Sequence, residues 1–214
     1  MLDTPTQRSF EQRFAVVRSL KQEDLILPRE QARLTLMDVA PKSFFTFLDE
    51  TYYVQKLAQY HETDAQFAKR TGFVTTELTC LCLGNGNTAH FEFEFDDHLE
   101  VSLTLWTIKF RDLTDEGGLD IDEDDLDQIA DDKDVVIYQG EKFWYDDDWA
   151  AVYMDGDTQE QVHVYEFENE AGNSTITIEE WCGSGREEYK LYVSKPVDSR
   201  EFTLVSRGTP KETE

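Results

Sequence analysis

The chain of 214 residues carries 46 Asp and Glu against 20 Lys and Arg, which gives a formal net charge of −26 at pH 7. A negative field of this size repels nucleic-acid phosphates and anionic lipid head groups, so neither is expected as a direct partner. No run of residues approaches the roughly 18–20 apolar positions of a transmembrane helix, and we find no secretory signal. Three cysteines, an odd number, favour reduced thiols, and we therefore expect a cytoplasmic protein.

Residues 1–33 are predicted to form a helical arm. Phe10, Phe14 and Val17 recur at i, i+4 and i+7, which is the spacing of one helix face. Residues 1–42 carry a net charge of +1, so the arm contrasts with an acidic body. We expect the apolar face to pack on that body, with Phe14 buried. The alternative is a basic amphipathic arm that binds a membrane surface or a partner.

From residue 34 onward the apolar period changes to two, which is typical of strands, and residues 34–111 are predicted to form a first β-rich half. The turn signal at 84–87, Gly-Asn-Gly-Asn, is strong because Asn and Gly tolerate positive φ. Strands are predicted at 34–39, 44–47, 51–57, 73–83, 88–95 and 99–110.

The hairpin of residues 88–110 has two chemically distinct faces, because successive strand side chains point in opposite directions. A three-residue turn at 96–98 sets Glu94 opposite Glu100, and two facing like charges are unfavourable. We therefore expect the glutamate face to be solvated or to meet a cation, and the apolar face to be buried. The expected exposed set is Glu92, Glu94 and Glu100, and the expected buried set is Phe91, Phe93, Leu99, Val101 and Leu103.

Residues 112–134 interrupt the β pattern as an acidic linker or loop. Twelve of these 23 residues are acids, and one short helix is predicted near residues 123–129. Asp120, Asp122 and Asp124 alternate in the way that carboxylate ligands of Ca²⁺ do, so a cation site is one interpretation. The segment lacks the glycine and the final glutamate of an EF-hand loop, which favours a solvated acidic loop.

Residues 135–208 are predicted to form a second β-rich half, followed by a polar tail at 209–214. The acids at 146–148 are expected in a β-turn. A strand, a Gly-Asn turn and a second strand recur in both halves, which fits either a weak internal repeat or shared hairpin chemistry. Strands are predicted at 135–138, 142–145, 150–153, 161–167, 174–181, 188–193 and 202–205.

The predicted fold class is mainly β within α+β: two β-rich halves of antiparallel hairpins that form barrel- or sandwich-like sheets, plus the N-terminal helix. Three segments carry a resemblance to a known family. They are Gly-Glu-Lys-Phe-Trp-Tyr-Asp-Asp-Asp-Trp at 140–149, Ile-Thr-Ile-Glu-Glu-Trp at 176–181 and Leu-Thr-Leu-Met-Asp-Val at 34–39. Over residues 34–206 the chain resembles an uncharacterised bacterial family, the domain of unknown function numbered four-one-seven-eight. The resemblance implies a β-rich accessory domain, sometimes encoded near polyamine enzymes and membrane-stress proteins, and it supplies no catalytic residues.

No motif assigns a catalytic, cofactor-binding or metal-binding residue, and no cofactor is expected. Cys80 and Cys82 share one strand face and are expected to be buried free thiols, because a zinc site needs a different spacing. The segment 182–186, Cys-Gly-Ser-Gly-Arg, lies between two predicted strands. A nucleophile elbow needs a strand and a helix around its serine, so a flexible turn is expected there.

These observations favour a non-enzymatic bacterial accessory or protein-interaction module whose anionic faces meet a cationic partner, either a basic protein or a polyamine. One alternative is an acidic mimic of nucleic acid that inhibits a basic DNA-binding protein. Another is an enzyme whose site is assembled from dispersed residues, such as His98 with neighbouring carboxylates.

Overall fold

A computed structural model describes residues 4–183 and 188–208, so the predicted tail and most of the segment 182–186 lie outside the described residues. The described α-helices are α1 (Thr4–Ser19), α2 (Pro28–Gln31) and α3 (Leu126–Asp132). The described strands are β1 (Phe44–Phe47), β2 (Glu50–Thr63), β3 (Arg70–Cys82), β4 (Thr88–Phe95), β5 (Leu99–Ile108), β6 (Leu113–Thr114), β7 (Val135–Tyr138), β8 (Glu141–Asp155), β9 (Thr158–Asn169), β10 (Thr175–Trp181), β11 (Glu188–Pro196) and β12 (Phe202–Ser206).

The strands form one antiparallel sheet that closes on itself. Eight strands follow one another in the order β2-β3-β4-β5-β11-β10-β9-β8, and β8 returns to pair with β2, with Tyr60 opposite Tyr153. Strands β1 and β12 extend the sheet beyond β2, and β7 and β6 extend it beyond β8. The structure confirms the predicted mainly β fold class, and the closure selects the barrel-like arrangement.

The two halves share one topology. If each strand of β1–β6 is exchanged with the strand six places later in β7–β12, the strand order of the sheet is the same order read backwards. Residues 48–49 in the β1–β2 turn and 139–140 in the β7–β8 turn all have positive φ. A bulge interrupts β2 after Val54 and β8 after Tyr145, at the same distance from the two turns. The correspondence extends to bulges and register, so the halves are a structural repeat.

Two apolar clusters pack on the outer surface of the closed sheet. A third, smaller cluster includes Tyr60 and Val164, which line the inner space. In the first cluster Phe45 and Phe91 pack with Phe202 of β12. In the second, Phe143 and Phe167 pack with Leu126 of α3. Because the apolar faces of the strands turn outward to these covering segments, the alternate and more polar faces turn inward. The space that they surround is called the lumen below.

Two local predictions were wrong. Residues predicted as a strand at 34–39 contain a 3₁₀ helix at Leu36–Asp38, because the Thr35 side chain accepts a hydrogen bond from the Met37 N–H and Asp38 accepts one from the Thr35 N–H. The acids at 146–148 do not form a β-turn. They lie inside β8, where the bulge accommodates one extra residue and joins two predicted strands into one.

The N-terminal helix is present, but its predicted burial was wrong. Phe10, Phe14 and Val17 are 53%, 49% and 48% exposed. The helix contacts the body through another side chain: Arg13 donates hydrogen bonds to the carbonyl oxygens of Leu83 and Gly84, at 3.0 and 2.9 Å. These bonds hold a different helix face against the β3–β4 turn. Among residues 4–183 and 188–208, no helix has the length and apolar character needed to cross a membrane.

Candidate functional site

The lumen contains a cavity of about 630 Å³, lined by side chains from all eight strands of the closed sheet. This volume lies within the roughly 300–1,000 Å³ that small-molecule sites occupy. Among the described residues, the lining includes one histidine but neither lysine nor arginine. Its acids are Glu92, Glu94, Glu100, Asp146, Glu166, Glu168, Glu179 and Asp198.

The glutamate face of the β4–β5 hairpin contributes to this lining. The predicted register is confirmed, with Glu94 opposite Glu100 and Phe93 opposite Val101. Phe93 and Val101 are buried, and Glu94 and Glu100 are exposed, as predicted. The prediction was wrong for Glu92, which is only partly exposed and faces the lumen, and Leu99 and Leu103 are half-buried where burial was predicted. The reason is closure of the sheet, which turns the polar face of the hairpin inward.

Glu179 on β10 is a buried acid with two donors. The Tyr60 hydroxyl donates to its Oε1 at 2.6 Å, and the Trp181 indole N–H donates to its Oε2 at 2.9 Å. Lys190 places its Nζ 3.7 Å from the centre of the Trp181 ring. Burial raises the pKa of Glu179, while the two hydrogen bonds and the charge of Lys190 oppose that shift. The carboxylate of Glu179 is therefore satisfied by the protein itself.

Glu92 on β4 has a different environment. It lies between Glu77 of β3 and Ser102 of β5, its neighbours across the strand pairs. Burial raises the pKa of Glu92 well above its usual value, and the negative charges of Glu179, Glu77, Glu166 and Glu94 raise it further. The neighbouring charges that act most strongly on this carboxyl group are all negative. The lumen thus holds an acid that burial and the neighbouring carboxylates drive toward its protonated form, and a cation bound beside it would favour the ionised form.

Glu166 on β9 is a third acid of the lumen. Burial is the main cause that raises its pKa to about 7, and the negative charges of Glu94, Asp146 and Asp147 raise the pKa further. The Trp149 N–H donates a hydrogen bond to Glu166 Oε2 at 3.3 Å and lowers the pKa in part. At neutral pH this carboxyl group therefore exchanges between its protonated and ionised forms.

The two ends of the lumen differ. At one end Tyr153 packs against both Tyr60 and Trp181, with ring centres 4.9 Å apart in each pair. At the other end the cavity reaches the exposed pair of His98 and Glu100, whose Nε2 and Oε1 atoms lie 3.0 Å apart. The structure thus places His98 beside a carboxylate, as the dispersed-site hypothesis requires, but at the rim of the lumen.

The acids singled out as a cation site, Asp120, Asp122 and Asp124, lie exposed in the acidic segment. Asp122 accepts a hydrogen bond from the Asp124 N–H at 3.0 Å and so caps a 3₁₀ helix at Glu123–Asp125. Within residues 4–183 and 188–208, no group of three or more His, Cys, Asp or Glu is arranged to hold a metal ion. Cys80 and Cys82 are buried free thiols, as predicted.

No family model, no curated protein and no solved structure matches this chain. The resemblance to the uncharacterised bacterial family therefore stays a prediction. The chemistry of the lumen is the basis on which function can be inferred.

Proposed function

We propose that the protein is a non-catalytic accessory module that binds a cationic organic molecule of the polyamine class in its lumen. The observation that carries this proposal is Glu92, an acid facing the cavity without a balancing cation from the described residues. Glu166 and Glu94 add negative charge close by. A ligand with several ammonium groups would lower the electrostatic free energy of this cluster.

The aromatic lining supports the same ligand class. Tyr60 and Trp149 lie 6.2 Å apart in a T-shaped arrangement at the cavity wall. Aromatic faces attract ammonium groups, and their apolar rings pack against the methylene segments between them. An alkyl polyamine alternates these two features along its length, so it fits a lumen that combines carboxylates with rings.

The dimensions of the site separate the two cationic partners predicted from the sequence. A lumen of about 630 Å³ accepts a small molecule, whereas a folded basic protein cannot enter it. The carboxylates are also spread over several strands and do not converge as metal ligands do in the described part of the chain. These features favour an extended organic cation.

Isothermal titration calorimetry with spermidine tests this proposal. The titration is made at constant ionic strength, with MgCl₂ as a control for charge alone. We expect saturable binding of one spermidine per chain, with no comparable saturation by Mg²⁺. Absence of spermidine binding, or equal binding of Mg²⁺, would contradict the proposal.

A second candidate function is an enzyme that acts on such a cation, and the raised pKa of Glu166 favours it. A carboxyl group with a pKa of about 7 inside a cavity is suited to general acid or base catalysis. Mass spectrometry of spermidine after incubation with the protein separates the candidates. An unchanged amine supports the binding module, and a time-dependent product supports the enzyme. The nucleic-acid mimic stays a prediction.

A further inference from the structure

Glu92 and Glu179 occupy equivalent positions in the two halves of the closed sheet. The strand pairs that follow the two bulges establish this equivalence. At each bulge, three residues pair with one another across neighbouring strands: Val54, Cys80 and Ala89 in the first half, and Tyr145, Phe167 and Ile176 in the second. Glu92 lies three residues after Ala89, and Glu179 lies three residues after Ile176.

The surroundings of the two glutamates differ in one consistent way. Glu179 is paired across the strands with Lys190 and receives hydrogen bonds from Trp181 and Tyr60. The repeat assigns an equivalent position in the other half to each of these three partners. Around Glu92, the positions equivalent to Lys190, Trp181 and Tyr60 hold Ser102, Glu94 and Ala151.

Each difference removes a positive charge or a donor from the environment of Glu92, although the Ser102 hydroxyl keeps one O–H donor. An ammonium group is replaced by a hydroxyl group, an indole N–H by a carboxylate and a phenol by a methyl group. Lysine and tryptophan side chains only donate hydrogen bonds, whereas a carboxylate only accepts them. The region around Glu92 is therefore rich in acceptors and has smaller side chains, which leaves both space and unused hydrogen-bonding capacity.

We propose that Glu92 anchors a primary ammonium group of the ligand, which supplies the charge that Lys190 supplies in the other half. This inference rests on the proposed function, because it assumes that an organic cation enters the lumen. A primary ammonium group offers three N–H donors, and Glu92, Glu94 and Ser102 offer acceptors. A quaternary ammonium group carries the same charge without N–H donors, so it satisfies only part of this arrangement.

The decisive experiment gives Glu92 an internal ammonium group. Ser102→Lys introduces at the equivalent position the residue type that serves Glu179, and Ser102→Met is the matched control of similar length without charge. Spermidine binding is measured by calorimetry. We expect Ser102→Lys to weaken spermidine binding at least about tenfold more than Ser102→Met does, because both variants lose the hydroxyl and add bulk but only the lysine supplies a positive charge to Glu92.

Two further measurements make the result independent of how well Ser102→Lys folds. Glu92→Gln keeps the side-chain shape and is expected to weaken spermidine binding by about 10–100-fold. Spermidine with all its nitrogens fully methylated is expected to bind the wild-type protein at least about tenfold more weakly than spermidine does. Circular dichroism establishes that each variant is folded.

The outcomes separate this inference from the proposed function. If the wild-type protein binds no amine, the proposed function itself fails. If it binds spermidine and Glu92→Gln binds equally well, the anchor lies elsewhere and only the present inference fails. Equal weakening by Ser102→Lys and Ser102→Met, or equal binding of the methylated amine, would also overturn it.

Discussion

The Tyr60 hydroxyl donates a hydrogen bond of 2.6 Å to Oε1 of Glu179, and this bond joins β2 to β10 across the lumen. The two residues belong to different halves of the repeat. Glu179 is 3% exposed, so its carboxylate depends on protein donors in place of water. The bond therefore links the two halves of the repeat across the lumen.

Removing this donor should destabilise the fold. Tyr60→Phe keeps the ring but leaves one oxygen of a buried carboxylate without its short hydrogen bond. We expect the free energy of unfolding to fall by about 1.5–3 kcal/mol, measured by urea denaturation. Tyr153→Phe is the control, because its hydroxyl makes a longer bond of 3.4 Å to Glu77 and should cost less. Equal costs in the two variants would contradict this role of Tyr60.

The stability of the protein should depend on the ionisation of Glu166. Its pKa is raised from 4.5 to about 7, so the folded state binds this proton more tightly than the unfolded chain does. The resulting stabilisation is complete below pH 4.5 and is lost as the pH rises through 7. Burial raises the pKa values of Glu92 and Glu179 in the same direction.

The variant Glu166→Gln removes this titration while keeping an acceptor for Trp149. Relative to wild type, we expect a gain in the free energy of unfolding that grows from pH 4.5 and reaches about 2–3 kcal/mol at pH 8. Urea denaturation at a series of pH values measures it. A difference that is constant with pH would show that Glu166 does not titrate in this range.

The exposed face of α1 should contribute little to stability. Phe14 is 49% exposed, so Phe14→Ala should change the free energy of unfolding by less than about 0.5 kcal/mol. Phe45 is fully buried against Tyr52 and Phe91, and Phe45→Ala should cost about 3–5 kcal/mol. Thermal or urea unfolding compares the two. A large loss in Phe14→Ala would mean that the helix face is covered in solution.

Salt should stabilise the folded protein, because it screens the mutual repulsion of the excess negative side chains that give the net charge of −26. The Debye length falls from ~30 Å at 0.01 M salt to ~10 Å at 0.1 M, so the melting temperature should rise over that range. Ca²⁺ at matched ionic strength should add no specific stabilisation, since Asp122 is engaged in helix capping. A selective effect of low Ca²⁺ that Asp124→Asn abolishes would instead support a site in the acidic segment.

The local features of the fold could be predicted from the sequence. The register that sets Glu94 opposite Glu100 depends on a three-residue turn and on strict alternation, both of which are visible in consecutive residues. The strand bounds at Phe44–Phe47, Thr88–Phe95 and Val135–Tyr138 follow from the same pattern. Helix α1 follows from the spacing of its apolar residues, but that spacing does not reveal what covers them.

The lumen could not be predicted, because it depends on contacts between distant parts of the chain. Closure requires Tyr60 of one half to lie opposite Tyr153 of the other. Without that pairing, Glu166 beside Phe167 and Glu179 beside Ile178 look like ordinary solvent-facing acids. Alternation divides a strand into two faces, but it does not tell which face lies inside a closed sheet. The bulges that mark the repeat of the two halves can be recognised only once the partner of each strand is known.

The most direct test of the proposed function compares two variants that each replace one carboxyl group by an amide. Glu92→Gln changes the lumen, and Asp124→Asn changes the exposed acidic segment. Spermidine binding to both and to wild type is measured by equilibrium dialysis at one ionic strength. We predict that Glu92→Gln weakens binding by at least about tenfold, while Asp124→Asn stays within about twofold of wild type. Equal weakening in both variants would show that spermidine responds only to net charge, and would contradict a binding site in the lumen.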